Sequence, residues 1–600
     1  RTSGRIYKFF HQKNPVADLS ILENRFDDLE AVIRHPNVWY FRQFLQNLSV
    51  GSLTEREKYS MIRICELNFV GRQPTPIRLR AMWGLHAFNK LISESYLNDP
   101  NEHIRAWLIR LMVDDQPIDT LFGPREKEHD SIEPEIVQKL VQQALTDTSG
   151  LVRLTLASAL QRLPVESRGE LAQALAFRSE DINDHNLPHV VWAGMIPLVE
   201  LDPEKLLEVA RSTEWSNLRT WIARAITERS KENPVAFAAL LKLVGDQTKQ
   251  ADSLLAGIER AVLGMKGFLK PAKWNQISSK LQGNPYVLKL SVLFGDKDAI
   301  GQMEKLVMNP DAEIEVRRQT MKILIDSNSP NLKSISDKLL KSVGMKIWAA
   351  RGLSKFEDNR TGEMLVSSLQ AFVGVEKDEV VEILCGRINW ADVLLSGIEN
   401  GQVSKSLISP YHALQIKSLK NDKLDKRLDQ CWGMIRTSPE YLDKRKGELK
   451  KELNSEAVSK ADLKNGSLLY DQQCSSCHRL YGKGGKLGPD LTGSGRSNLD
   501  YLLENIVDPN SAVSADYRMN IIQLKDGRIL SGMIAQQDRN SLTLRMPGSD
   551  TVVSKSMVEK RETLSHSIMP AGLLDNLSLN ARRDLIAYLM NPTQVSRPAQ

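Results

Sequence analysis

Cys474, Ser475, Ser476, Cys477 and His478 set two thiols three positions apart, with an imidazole directly after the second. Thiols add across vinyl groups, so such a pair can fix one porphyrin at two points. A histidine adjoining the second thiol then lies under the iron as an axial ligand. The chemistry implied by this spacing is covalent attachment of one haem c. Two other uses of a CxxC pair compete with it. A structural zinc site requires a second Cys/Cys or Cys/His pair, whereas Cys65, Cys385 and Cys431 are isolated in the sequence. A redox dithiol sits at the mouth of a βαβ unit; here a short helical pattern precedes the pair and a glycine-rich loop follows it.

An iron that only carries electrons needs a second axial ligand, and methionine sulfur is the ligand that raises the potential. The methionines beyond the motif are Met519, Met533, Met546, Met557, Met569 and Met590. Met569 is the expected ligand, because Pro570 stiffens the loop that carries it just ahead of a final helical stretch. Met519, Met533, Met546 and Met557 fall in or near strand-like segments, where filling core gaps is the ordinary role. Met590 belongs with the last helix. His566 is a second candidate and would give bis-histidine coordination.

On the proximal side the free Nδ1–H of His478 needs an acceptor, and the loop of Gly488, Pro489, Asp490 and Leu491 offers a proline carbonyl. The expected haem-binding set is therefore Cys474, Cys477, His478, Met569, Gly488, Pro489 and Leu491, with His478 and Met569 on the metal. Gly482, Gly484 and Gly485 raise phosphate binding as an alternative. No Gly-Lys-Ser/Thr follows them and no strand precedes them, so a loop wrapped closely around the porphyrin edge is the better reading.

The elements that must position these residues follow from periodicity. A chain of 600 residues exceeds one core. From about residue 20 to 455, apolar residues recur at three- and four-residue intervals, as helices require. Within this stretch an apolar residue followed by Arg, with another apolar residue eight positions after the first, recurs at Ile77-Arg78, Ile104-Arg105, Val152-Arg153, Leu218-Arg219 and Val316-Arg317. Most copies follow loops rich in helix-starting residues, among them those with Asp99, Asp147 and Asp311. The phrase resembles the HEAT-type helical repeat, which implies helix pairs stacked into a solenoid.

Past residue 455 the pattern changes. Residues 461–480 read as a helix entering the haem motif, and residues 501–506 as a short helix capped by Asn498 or Asp500. Residues 518–563 switch to a period of two around an Asp526-Gly527 turn, the signature of a small antiparallel meander. A last helix spans 580–590. The fold class expected is mainly α: a HEAT-like α-solenoid over 16–455, then a class I-like cytochrome c domain over 456–600 with a β insertion at about 516–563.

Other constellations are weaker. A net charge of +6 with interspersed signs implies no nucleic-acid role, and no apolar run approaches the roughly 20 residues of a membrane span. His185 and His189 stand near Asp181 and Asp184, but Pro188 marks the first turn of a helix beginning after Asn186 and separates the two rings. Trp39, Trp83, Trp107, Trp192, Trp221 and Trp348 recur at apolar helical positions and are expected in the core.

Residues 463–591 resemble a known family, the haem-binding domain of planctomycete and verrucomicrobial type, which is a c-type cytochrome. The resemblance is carried by residues 474–478, the loop 487–491, the hairpin of Lys525, Asp526, Gly527 and Arg528, and the segment 567–574 around Met569. Residues 186–192 and 388–395 are similar to phrases in the HEAT-like regions that precede this cytochrome. The resemblance implies that a β-propeller like that of soluble sugar or alcohol dehydrogenases precedes the helices. Residues 4–8 look like its last strand, which makes residues 1–15 its remnant and linker, and the chain the C-terminal part of a larger protein.

The function expected is passage of single electrons from an attached or associated dehydrogenase to a further acceptor, in the bacterial periplasm or cell envelope. The chain is expected to act as an electron-transfer module more than as an enzyme by itself. Two readings compete: a haem that binds a gas or peroxide at an open iron position, and an interaction scaffold that carries the cytochrome as a passenger.

Overall fold

The computed structural model describes residues 29–50, 53–70, 72–119, 132–265, 268–432, 439–510, 517–547, 549–575 and 577–595. Residues 1–15, with the strand expected at 4–8, lie outside the described residues. The chain is mainly helical with a small antiparallel sheet. It forms two compact units, Arg1–Ile226 with Asn233–Leu243, and Thr227–Glu232 with Val244–Gln600. The division falls inside the segment read as one array.

In the first unit the recurring Arg has a structural task. Arg78, Arg105 and Arg153 lie on the helices Thr75–Ala87, Glu102–Met112 and Gly150–Ala159. Each guanidinium grips, with two hydrogen bonds, the carboxylate in a loop further along. Arg78 holds Asp99 at 2.5 and 3.1 Å, Arg105 holds Asp147 at 2.7 and 2.8 Å, and Arg153 holds Asp181 at 2.5 and 2.7 Å. Arg105 also donates to the Asp99 carbonyl at 2.8 Å, and Arg153 to that of Asp147 at 3.0 Å. The result is a continuous ladder in which every Asp is buried.

Burial alone would raise the carboxyl pKa of Asp99 and Asp147, but hydrogen bonds from Arg78 and Arg105, from the backbone N–H of Asn101 and Ser149 and, for Asp147, from Gln143 combine with the guanidinium charges to hold both below the usual range. Such folded-state depression contributes stability above the unfolded Asp pKa and loses it as pH falls through the lowered value. Asp147→Asn leaves a buried guanidinium facing an amide, and is expected to cost about 3–5 kcal/mol. Urea unfolding checks it; an unchanged midpoint would rule the ladder out as a source of stability.

The tryptophans depart from expectation. Trp83, Trp107, Trp192, Trp221 and Trp348 are only half-buried, and Trp39 is exposed. They line helix rims, with Trp83 edge-on to Trp107 at 4.7 Å and Arg351 over Trp348 at 4.3 Å. The core tryptophans are Trp215, Trp274 and Trp390, whose indole N–H groups donate to Arg178 O, Ser291 Oγ and Asp358 O. Helical periodicity marks the apolar face, but an indole long enough to reach the rim satisfies the same period.

The second unit joins further helices to the haem-motif region. One apolar core runs through its helices from Val292 to Leu428. A second gathers Tyr470, Leu480, Leu502, Leu503, Leu585 and Tyr588, and draws in Leu442 and Leu449 from the helix Pro439–Glu452 and Leu453 just after it, upstream of the expected boundary at 456. The helix Leu463–Gln473 ends earlier than expected. Cys474 to Cys477 form a turn, and Arg479–Leu480 starts β1, paired with β2 at Lys483–Gly484. The helix Leu499–Val507 is capped by the Asn498 side chain, and Leu579–Met590 by that of Ser578.

Strands β3 (Arg518–Leu524), β4 (Ile529–Gln537), β5 (Ser541–Met546), β6 (Ser549–Ser554) and β7 (Val558–Ser567) form one antiparallel sheet in the order β6-β5-β4-β3-β7. The last strand lies on the edge beside β3 and extends the sheet past residue 563. Asp526 and Gly527 make the β3–β4 turn, with Gly527 at φ 78°. This hairpin docks on the turn between the helices Val375–Cys385 and Ile388–Glu399 of its own unit. Ile529 N donates to Gly386 O at 3.0 Å, and Arg387 Nη1 to Asp526 O at 2.9 Å.

Buried His412, on the helix Pro410–Ser418, accepts from Ser409 N through Nδ1. Burial lowers its pKa to about 4. The unfolded imidazole takes a proton first as pH falls from 6.5 to about 4. Stability of this unit is therefore expected to drop by up to roughly 3 kcal/mol over that window. Denaturant midpoints should show the drop in the wild type and a smaller one in His412→Asn.

Candidate functional site

The helix Leu463–Gln473 delivers the haem motif. Asp462 caps it by accepting from Lys464 N and Asn465 N. Asp584 on the helix Leu579–Met590 accepts from Asp462 N at 3.0 Å and Asn465 Nδ2 at 2.8 Å, tying the two helices together. They cross at Gly466, where any Cβ would overlap the Asp584 carbonyl oxygen.

The turn then coils on itself: Cys474 N donates to Tyr470 O at 2.9 Å and His478 N to Cys474 O at 2.8 Å. The following loop wraps the turn through three 2.8 Å hydrogen bonds, Gly485 N to Ser475 O, Gly488 N to Cys477 O and Leu491 N to Arg479 O. Gly484 has φ 116°, and a Cβ there or on Gly485 would strike the motif backbone. The loop glycines thus serve close approach to the thiol turn.

His478 is buried, and its Nδ1 lies 2.9 Å from the Pro489 carbonyl oxygen. A carbonyl only accepts, so the proton sits on Nδ1 and the lone pair on Nε2, the tautomer a metal ligand needs. Burial lowers the imidazole pKa, with the Pro489 hydrogen bond working against it. Gly488 lies against the ring: a Cβ there would come 2.5 Å from Cε1 and 2.7 Å from Nδ1. Tyr470 Oη donates to the His478 carbonyl at 2.8 Å and fixes the backbone.

Neither thiol is in a disulfide. Burial pushes Cys474 up to about 12 and Cys477 up to about 11, so both are protonated at neutral pH. Redox dithiols run the opposite way, with a depressed thiol pKa. The two sulfurs serve different surroundings. Cys474 packs with the Tyr470, Leu480 and Tyr588 core, and Cys477 with a cluster of Tyr411, Leu487, Met519 and Ile568. Among the described residues no group of three or more His, Cys, Asp or Glu gathers as metal ligands. Asp181 is held by Arg153, Asp184 accepts from Asn186 N and Leu187 N, and His189 lies 4.8 Å from the Trp221 ring.

The residues fit haem c on two counts: the Nε2 lone pair left by the Pro489 bond, and two unbridged thiols on the turn directly before it. Leu491 packs against the Tyr470 core. Met569 is half-buried, its N–H donating to Ser567 Oγ at 3.1 Å, and its neighbour Ile568 belongs to the Cys477 cluster. The side chain of His566 lies outside the described residues. Sequence reading overlooked Tyr411 and Glu382; Met519 and Met533, expected as core filling in strands, do fill a hydrophobic core, the one around Cys477. The loop of residues 487–491 already marked Leu487, but nothing local to Tyr411 or Glu382 connects them to the motif.

The family model for cytochrome c matches residues 463–521. The segment is a c-type cytochrome domain, which supports haem c binding and haem-based electron transfer in general. No curated protein matches the chain. Among the described residues no helix is long and apolar enough to cross a membrane.

Proposed function

We propose that this chain binds one haem c covalently through Cys474 and Cys477, with His478 and Met569 as axial ligands, and passes single electrons from an attached or associated dehydrogenase to a further acceptor. The observation that carries the reading is the 2.9 Å bond from His478 Nδ1 to Pro489 O, which orients a free Nε2 one residue beyond two thiols. Haem supplies a reversible one-electron couple; the protein's work is to hold and tune it. Cys474 and Cys477 would hold the group covalently through their two sulfurs. Gly488 and Pro489 orient the imidazole, and Met569 would be the second residue to hold the iron.

In this reading the helices of 16–455 form a HEAT-like solenoid that scaffolds the electron donor, and the protein works in the periplasm or cell envelope, where haem c is attached. The repeated Arg–Asp ladder supports the solenoid. Full-length protein made with a haem c maturation system is expected to keep its colour through acid-acetone extraction, and loss of the pigment would refute covalent attachment. Met569→Ala is expected to lower the reduction potential and admit exogenous ligands such as imidazole or cyanide. An unchanged potential would put the distal ligand elsewhere.

A further inference from the structure

Tyr411 belongs to the helix Pro410–Ser418, far upstream of the thiol turn, yet its ring closes the cluster of Leu487, Met519 and Ile568 against Cys477. Its hydroxyl lies 2.8 Å from the Ser531 carbonyl oxygen and 3.2 Å from Glu382 Oε1. A phenol carries one proton. Ser531 O can only accept, so while Tyr411 donates there the phenol has no proton left for Glu382; turned toward Glu382, the same O–H donates to Oε1 and favours the carboxylate. Glu382 is thus a buried carboxyl that shares its phenol donor with a backbone carbonyl. It is 4 % exposed, on the helix Val375–Cys385. Burial, followed by the neighbouring Glu379, pushes its pKa well above the carboxylate range.

The titratable groups that face this pair are Asp378, Glu379 and Cys385 on the helix of Glu382, Tyr411 itself, and Cys477 from the thiol turn. Glu379 is neutralised by Arg351 through hydrogen bonds of 2.5 and 2.8 Å. Gln415 Nε2 donates to the Glu382 carbonyl at 3.1 Å and pins the backbone. A buried carboxyl is thus built into the wall on the Cys477 side, and burial favours its protonated form.

We propose that Glu382, with Tyr411 as a hydrogen-bond partner that can turn, is a proton site linked to the oxidation state of the haem. The proposal rests on the haem reading above. Ferric haem carries one more positive charge than ferrous, and in low-dielectric surroundings that charge favours an ionised carboxylate nearby. On oxidation one electron goes to a one-electron acceptor protein. The Glu382 O–H bond breaks, its electron pair stays on the carboxylate and the proton leaves to solvent. Tyr411 O–H then turns from Ser531 O to the new carboxylate. Reduction reverses each step.

The test is an equilibrium redox titration of the matured full chain with dye mediators, read optically from about pH 5 to 10. The wild-type potential is expected to fall with rising pH over a window above the ordinary carboxylate range. Its slope should approach about 59 mV per unit, the one-electron equivalent of a tenfold change. Glu382→Gln should be flat across that window. Tyr411→Phe keeps the ring but removes the donor to the carboxylate, and should move the window to higher pH.

A pH-independent wild-type potential, or a Glu382→Gln curve with the wild-type slope, overturns the proposal. Should Glu382→Gln fail to fold, the wild-type slope and the Tyr411→Phe shift decide it. Wild-type protein without haem absorbance is seen before any titration; it overturns the electron-transfer reading, and this proposal with it.

Discussion

A Gly488→Val protein, matured beside the wild type, is expected to lack a six-coordinate low-spin haem. A Cβ at this position would stand 2.5 Å from Cε1, 2.7 Å from Nδ1 and 3.0 Å from Nε2 of His478. Two of those distances are shorter than any real carbon contact, and the valine methyls add to the overlap. The ring has little room to give way, because Nδ1 is bonded to Pro489 O and the His478 carbonyl is held by Tyr470 Oη. The loop can lift only by breaking Gly488 N to Cys477 O and straining its neighbour at Gly485. Overpacking of this kind costs about 1–3 kcal/mol or more. Either outcome moves Nε2 off the iron axis. Optical and magnetic spectra of the purified variant should be high-spin or devoid of haem, with a lowered thermal midpoint. A wild-type low-spin spectrum would mean that His478 is not packed against Gly488 as described.

The proximal half of this site was legible because its parts are local. Cys474, Cys477 and His478 fall within five residues, and the Pro489 acceptor lies eleven positions beyond His478 in a loop whose glycines already required close approach. The hairpin at Asp526 and Gly527 was legible for the same reason, since a turn declares itself in its own residues. The Arg–Asp ladder was half legible. Arg recurs in a fixed phrase, but its partners stand 21, 42 and 28 residues on, so no period connects them. Asp99 and Asp147 stand in loops read as helix-starting, but the caps are Asn101 and Ser149, and each Asp accepts from the N–H of that cap residue.

Strand β7 was hidden by composition: Glu559, Lys560, Arg561 and Glu562 show no apolar alternation, and the strand is held on the sheet edge by backbone pairing with β3. Tyr411 and Glu382 were out of reach on any local argument. Their nearness to Cys477 depends on how the sheet hairpin docks at Gly386 and Arg387, a tertiary contact that no pattern around the motif encodes.

The other large effect is expected from Gly466→Val, through the helix that carries the thiol turn. At Gly466 the helix Leu463–Gln473 meets Leu579–Met590 backbone to backbone. A new Cβ would overlap the Asp584 carbonyl oxygen and lie 2.7 Å from Tyr588 Cβ. Backbone cannot step aside as a side-chain tip can, so the helices must part. Parting pulls Asp584 from Asp462 N and Asn465, and loosens Tyr470, whose ring centroid is 5.8 Å from that of Tyr588. Because Tyr470 Oη also holds the His478 carbonyl, the damage reaches the proximal ligand. Loss of at least about 3 kcal/mol is expected. It is read as a lower urea midpoint for the haem-linked transition. Gly447, on the helix Pro439–Glu452, is the matched control, since a Cβ there meets nothing within 4 Å. Gly447→Ala should be neutral or stabilising by up to about 1 kcal/mol, by reducing the freedom of the unfolded chain. Equal midpoints for the two variants would refute the close crossing and, with it, the route by which the C-terminal helix steadies His478.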